Sequence, residues 1–231
     1  QGYASRVANA YMIEAMALLG EGVSPITIEA SASDAGLRHA PLLMLDHLGL
    51  KILDDLLHAE LHALSGDATH AHRNHDHDHD HHHDHDHHGH DHGHGASSEL
   101  MPESAVYVLE KMAHGFDRLG AASGYGFYEH EEDGSAELWE GLEAFSRGAK
   151  DVPTTDITDR LLFCVAIESL SCIREGLLAS TDADKALVAA GLFPTQHGGL
   201  AGWISSQSEA KFQARAHELS ANYGKRFEVG P

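Results

Sequence analysis

A run of histidine and aspartate between residues 70 and 95 divides the sequence and limits what the remainder can fold into. The run holds 14 of the 22 histidines, six aspartates and a single apolar side chain, that of Ala71. A segment of this composition cannot bury enough apolar surface to offset the entropy lost on ordering. We therefore expect a disordered insertion, with the core built from the residues on either side of it.

The acidic charge of the chain excludes two classes of partner. The sequence has 36 acidic and 15 basic residues, and outside residues 70–95 the numbers are still 30 and 14. A net charge of −21 opposes contact with a phosphate backbone or an anionic membrane, so we expect no nucleic-acid partner. The longest apolar stretch, residues 161–167, is far shorter than the ~20 residues that a membrane helix needs. The sequence predicts no membrane span.

The amino terminus and the cysteines predict a cytoplasmic protein. The chain opens Gln-Gly-Tyr without a basic and apolar leader, so we expect no signal peptide. Cys164 and Cys172 are eight positions apart in a helical pattern. Their separation along the axis would be ~12 Å, which is too far for a disulfide. Two buried, unpaired thiols are typical of the cytoplasm.

Apolar residues recur at helical spacing through most of the chain, and glycine, proline and serine mark the ends of the resulting segments. The pattern predicts helices over about residues 7–19, 25–36, 41–64, 102–112, 156–178, 182–191 and 208–223. The segment 118–130 is rich in glycine and predicts turns. Hardly any strand is predicted, so we expect an all-α fold.

Two helical segments share a pattern that indicates an internal repeat. Spacings agree to within one position in two series, Arg6, Glu14, Gly22 and Gly36 in the first and Arg160, Glu168, Gly176 and Gly191 in the second. A proline follows a few residues after the last glycine of each series, at Pro41 and Pro194. We predict two tandem related helical lobes, residues 1–150 with the disordered insertion at 70–95, and residues 151–231; chance is the alternative. We expect the matching Glu14 and Glu168 to be exposed helix carboxylates, with a shared buried polar contact as the alternative.

Five segments together resemble the C-terminal helical region of 3-hydroxyacyl-CoA dehydrogenases, above all the α subunit of the multifunctional fatty-acid oxidation complex. They are RVANAYMIEAMALLGEGVSPITIE at 6–29, PLLMLDHLGL at 41–50, GYGFYEH at 124–130, GLFPTQHGGL at 191–200 and YGKRF at 223–227. In that family the region consists of two tandem helical repeats. The resemblance covers most of the chain outside the histidine run.

The resemblance implies a dehydrogenase of fatty-acid β-oxidation whose reaction centre lies in another domain. In the family, an N-terminal Rossmann domain binds NAD and carries the catalytic histidine and its glutamate partner. Gly120, Gly124 and Gly126 have the wrong spacing for a dinucleotide fingerprint and follow a predicted helix, so they predict a turn. We expect no catalytic and no cofactor-binding residue in this chain, and no activity from the chain alone.

In such an enzyme the helical region would close over an acyl-CoA substrate and form a homodimer. The partners implied are its own Rossmann domain and a thiolase subunit, and the multifunctional relatives also carry an enoyl-CoA hydratase. An asparagine-arginine pair opens the region in the family, and its asparagine faces the substrate. Here the pair is Ser5-Arg6, which we expect to contact substrate. Ser5 departs from the family, as does Ala40, which replaces a glycine before Pro41.

The histidine run is also a candidate metal site, because imidazole binds zinc, nickel, cobalt and copper. In an extended chain the candidate ligands lie on one side; they are His75, His77, His79, His81, His83 and His85. Incidental binding by a tolerated surface loop is the favoured interpretation, and a non-enzymatic nickel or zinc storage protein is the competing function. The pair His58 and His62, four positions apart, predicts a solvated helix face, with metal binding as the alternative. We expect His197 to be a loop residue.

Overall fold

Helices dominate the protein in a computed structural model that describes residues 2–68, 101–146 and 150–230. The α-helices are α1 (Tyr3–Gly20), α2 (Pro25–Asp34), α3 (Pro41–Leu48), α4 (Leu50–Ala68), α5 (Glu103–Glu110), α6 (Thr154–Arg174), α7 (Ser180–Ala190), α8 (Leu200–Gln207) and α9 (Glu209–Tyr223). A π-helical turn (Lys111–Gly115) extends α5, and 3-10 turns lie at Ala121–Ser123, Glu140–Ser146, Thr195–His197 and Lys225–Phe227. The strands β1 (Tyr128–His130) and β2 (Ala136–Leu138) form an antiparallel hairpin. The predicted all-α fold is confirmed, while the predicted disorder at 70–95 lies outside the described residues.

Helices α1 and α6 lie at the centre of the core, and other helices pack around their buried central residues. All residues of α1 from Tyr11 to Leu19 are buried, and so are those of α6 from Arg160 to Ile167. A helix that is buried all round depends on its neighbours for stability. α1 packs against both α5 and α6, and α2 and α3 adjoin it. The core therefore combines elements from both predicted lobes.

The single helix predicted over 41–64 is wrong, because the chain breaks at Gly49 into α3 and α4. Gly49 has φ +82°, a left-handed backbone that is costly for any residue with a Cβ. The next N–H, that of Leu50, donates to the carbonyl of Leu119 at 3.0 Å instead of continuing the helix. Leu50 and Leu53 are nevertheless both buried, so the apolar pattern runs through the break and hides it.

Other helix boundaries also differ from the sequence prediction. α6 begins at Thr154 and ends at Arg174, four positions before the predicted end at 178. α4 continues to Ala68, beyond the predicted stop at 65–66. α8 has no counterpart in the predicted helices, and a backbone break at Ser208, with φ +76°, separates it from α9. The start of α8 is held by Asp184, whose Oδ1 accepts the Leu200 N–H at 2.8 Å.

Two helices are capped by a carboxylate from the helix before them. Glu29 of α2 accepts the N–H of Leu42, in the first turn of α3, at 3.1 Å and that of the next residue at 3.3 Å. Asp184 of α7 accepts the N–H of Leu200 at 2.8 Å and that of the next residue at 3.3 Å. Each carboxylate satisfies donors that have no partner inside the helix. This recurrence is what the predicted repeat would produce.

The two cysteines are buried and unpaired, as the sequence predicts. Cys164 and Cys172 are buried free thiols, and Cys164 donates to the Leu161 carbonyl at 3.3 Å. Within 2–68, 101–146 and 150–230, no helix combines the length and apolar character needed to cross a membrane.

Candidate functional site

A buried guanidinium joins α6 to α1. Arg160 is fully buried, and its Nε donates to Glu14 at 2.6 Å while its two Nη atoms donate to Glu21 at 2.7 and 3.0 Å. The guanidinium lies 4.3 Å from the ring centre of Tyr223, within cation–π range. Burial alone would lower the pKa of Arg160, but the two glutamates outweigh it and raise that pKa above its ordinary value. Arg160 is therefore a charged group inside the core.

A second arginine joins the same two helices at their other ends. Arg6 of α1 donates from Nε to Glu168 at 2.5 Å, and both of its Nη atoms donate to Glu175. Hydrogen bonds from Arg6 and Ser171 lower the pKa of Glu175 to about 2. The Arg6 side chain is 23% exposed, whereas Arg160 is enclosed. The two networks thus have the same chemistry and different burial.

The two networks correspond position by position. Each member of one precedes its counterpart by 154 residues, and the pairs are Arg6 and Arg160, Glu14 and Glu168, and Glu21 and Glu175. Each arginine contacts the two glutamates of the other series, which is the contact pattern of an isologous, two-fold pairing. These contacts support the predicted repeat. The division of the chain at residue 150 stays a prediction.

The expectation that Glu14 and Glu168 are exposed is wrong. Glu14 is 1% exposed and, besides Arg160, accepts hydrogen bonds from Arg226 at 2.6 and 3.1 Å. The Glu168 side chain is only 27% exposed, and it is paired with Arg6. A carboxylate is tolerated inside a core when it is paired and hydrogen-bonded. The arginines that pair with Glu14 lie 146 and 212 positions away, so a local pattern cannot predict them.

A cavity of about 520 Å³ lies beside these networks. Its apolar wall consists of Ala10, Ile13, Leu56, Cys164 and Ile167, and its polar wall of Arg6, Asn9, Glu14, Glu168 and Arg226. The volume lies within the range of small-molecule sites, and the lining combines apolar side chains with an equal number of polar ones. Burial raises the pKa of the Cys164 thiol well above its usual range, so this side chain is a neutral apolar group and not a nucleophile.

A second polar cluster fixes the hairpin to α3. Asp46 is 1% exposed, and its oxygens accept the N–H groups of Phe127 and Tyr128 at 2.8 Å each. His130 Nε2 lies 2.8 Å from the same carboxylate. One side chain therefore holds three residues of the GYGFYEH segment in place.

Glu29 lies next to this cluster in an unusual electrostatic environment. Its Oε1 accepts the hydroxyl of Tyr128 at 3.1 Å, and its Oε2 is buried without a hydrogen-bond partner among the described residues. Burial raises the pKa of Glu29 to about 7, although its hydrogen bonds act in the opposite direction. Near neutral pH a substantial fraction of Glu29 is therefore the neutral acid.

A family model described as 3-hydroxyacyl-CoA dehydrogenase, C-terminal domain, matches residues 3–99. Over these residues the chain is similar to that family. The matched range includes α1 to α4, and with them Arg6, Glu14 and the two carboxylates Glu29 and Asp46. The resemblance seen in the sequence is confirmed over this range.

The glycine-rich segment 118–130 does not fit the NAD that such dehydrogenases use. A Cβ at Gly120 would overlap the backbone of Asp46, and a Cβ at Gly126 would overlap its carboxylate. These glycines permit close packing and do not form a phosphate-binding turn between a strand and a helix. The turn predicted for this segment is confirmed.

The predicted substrate residues lie in the first turn of α1. Ser5 is exposed, whereas Arg6 lines the cavity and is paired with two glutamates. Ala40, the other departure from the family, is the N-cap of α3 and precedes Pro41 in its first turn.

The histidines singled out from the sequence are dispersed. His58 and His62 are exposed on α4, as expected for a solvated face, and His197 is exposed in a 3-10 turn. The candidate metal ligands His75, His77, His79, His81, His83 and His85 lie outside the described residues.

Proposed function

We propose that this domain is the substrate-closing and dimer-forming part of an NAD-dependent 3-hydroxyacyl-CoA dehydrogenase of fatty-acid β-oxidation. The match of residues 3–99 to the C-terminal domain of 3-hydroxyacyl-CoA dehydrogenases carries the proposal. NAD and the catalytic histidine would be supplied by a Rossmann domain, for which the described residues offer no counterpart. The enzyme would oxidise the 3-hydroxyl of an acyl-CoA to a ketone.

The contacts between α1 and α6 suit a surface that must hold its orientation against a second domain. Closure over a substrate depends on groups held rigidly by the structure behind them. The enclosed Arg160 network provides such a support. Ser5 is exposed in the first turn of α1, where its hydroxyl can donate to a substrate. Arg6 would act as a positioning residue, because its charge is matched by Glu168 and Glu175.

The cavity beside α1 supplies apolar surface for the acyl chain. Ile13, Leu56 and Ile167 contribute to its wall, and its carboxylates are already paired with arginines. An apolar chain would therefore meet neither an unpaired charge nor a reactive thiol there. The proposal further includes a homodimer, association with a thiolase subunit, and a cytoplasmic location.

Native mass and activity test the proposal. The intact mass of the protein isolated from its source is compared with the 24.9 kDa of this chain, and oxidation of NADH with acetoacetyl-CoA is assayed. We expect a larger, active species that keeps its activity when residues 70–95 are deleted. Ser5→Ala should raise KM, whereas Ser206→Ala, at an exposed serine of α8, should leave it unchanged. An inactive native species of 24.9 kDa that loses tightly bound metal with residues 70–95 would instead support a metal-handling protein.

A further inference from the structure

One carboxylate and two imidazoles meet on the outer side of α4. Asp54 and His58 are one helical turn apart on α4, and His114 lies on the π-helical turn that extends α5. The distance from Asp54 Oδ1 is 3.1 Å to His114 Nε2 and 3.4 Å to His58 Nδ1. One ligand atom from each side chain lies within 4.8 Å of the other two.

The local backbone brings these side chains together. A π-helical turn is rare and occurs frequently at functional sites. Here the turn packs against α4, so His114 reaches a carboxylate 60 positions away. The Asp54 side chain is 15% exposed, whereas the side chains of His58 and His114 are 61% and 57% exposed. An ion from solvent can therefore reach a carboxylate that is otherwise shielded.

We propose that Asp54, His58 and His114 form a binding site for one divalent transition-metal ion of the zinc type. Zinc binds imidazole nitrogen and carboxylate oxygen at about 2.0–2.2 Å in a tetrahedron, which places neighbouring ligand atoms about 3.3–3.5 Å apart. The observed distances of 3.1 and 3.4 Å are close to this spacing. Two imidazoles and a carboxylate leave a fourth position for water, and imidazole favours transition metals over calcium or magnesium.

Metal binding requires one exchange of contacts. His58 Nδ1 lies 2.8 Å from the backbone carbonyl of Asp54, and this hydrogen bond would be replaced by the bond to the metal. Because the His58 ring is more than half exposed, its rotation displaces mainly solvent. Hydrogen bonds from imidazoles to Asp54 without any metal are the competing explanation of the same geometry.

The site is separate from the histidine run and does not depend on the dehydrogenase proposal. None of the three ligands lies in 70–95, but that run contains 14 further imidazoles that would obscure a single site in a binding assay. A full-length variant with these 14 histidines replaced by asparagine keeps the chain length and removes that background. All binding measurements are made with this variant as the reference.

Competition between this reference and a chromophoric chelator for Zn²⁺ at neutral pH measures stoichiometry and affinity. We expect one Zn²⁺ per chain, and at least tenfold weaker binding after His114→Ala or Asp54→Asn. His197→Ala removes an exposed histidine outside the cluster and should leave the affinity unchanged. Far-UV circular dichroism without metal should give the same helix content for all variants, because the His114 side chain is exposed.

Two results would overturn the proposal. One is the absence of stoichiometric Zn²⁺ binding by the reference variant, and the other is equal affinity in His114→Ala and His197→Ala. Either result would leave hydrogen bonding as the explanation of the cluster. Visible absorption bands of tetrahedral Co²⁺ that disappear in His114→Ala and persist in His197→Ala would support the same three ligands by an independent signal.

Discussion

Replacing Arg160 with methionine tests how far the buried arginine stabilises the pairing of α1 and α6. Glu21, whose side chain is 11% exposed, would lose its arginine, while Glu14 would keep Arg226. Removing one partner of a buried ion pair costs about 3–5 kcal/mol. Because Arg226 still neutralises Glu14, we expect a loss near the lower limit, about 3 kcal/mol in the free energy of unfolding. For a chain of this length the loss corresponds to a fall of about 6–12 °C in Tm.

Urea unfolding at neutral pH, followed by far-UV circular dichroism, measures this loss against a matched control. Arg6→Met removes an arginine with the same type of partners but 23% exposure, and should cost about 1 kcal/mol or less. A double variant, Arg160→Met with Glu21→Gln, should recover part of the stability because no unpaired carboxylate remains at that position. Equal losses for the two arginines, or a double variant no more stable than Arg160→Met, would refute the reasoning that burial of the pair sets its energy.

Three further predictions concern single residues. Gly49→Ala forces a Cβ onto a backbone with φ +82° and should cost about 1–2 kcal/mol in urea unfolding. Gly2→Ala, with open space around it and a negative φ, should cost less, because only the N-cap preference of glycine is lost. The Glu29 carboxyl, with its pKa raised from 4.5 to about 7, stabilises the fold below pH 4.5 and loses that contribution as pH rises through 7. Glu29→Gln should therefore remove a decline of up to about 3 kcal/mol between pH 4.5 and 8, and a wild-type profile parallel to that of the variant would contradict this. Cys172 should resist a thiol reagent until the protein unfolds, because its side chain is buried. Cys164 lines the cavity and should react only slowly, because burial raises the pKa of its thiol; rapid modification of both thiols in the native protein would contradict this.

The sequence predicts the helices well because their signals are local. Apolar spacing and terminal glycines mark α1, α2, α7 and α9 to within a few residues. The repeat also contains a long-range signal. Each copy has an arginine near the start of a helix, a glutamate eight positions after the arginine, and a second glutamate seven positions after the first. Two antiparallel copies of such a helix bring each arginine to the glutamates of the other, so the network could be predicted once the copies are assumed to pack together.

Other features depend on contacts that no local pattern encodes. The break at Gly49 is hidden because Leu50 and Leu53 continue the apolar stripe across it. The environment of Asp46 is set by residues more than 80 positions later, whose N–H groups turn inward only after the hairpin forms. The cluster at Asp54 requires His114, which reaches α4 because a π-helical turn replaces the last turn of a regular helix. Pairwise spacing on one helix points to His58 and His62 instead.

The exchange of charged partners between α1 and α6 means that neither predicted lobe has a complete core by itself. Arg160, enclosed in α6, is neutralised by Glu14 and Glu21, both from the other repeat. Without those glutamates, residues 151–231 would keep an arginine on an apolar face, and residues 160–167 would lose the helix that covers them. A charge left without its partner in apolar surroundings costs several kcal/mol, which is comparable with the whole stability of a domain. The two repeats therefore depend on each other for stability, and the residues matched by the family model depend on charged partners outside the match.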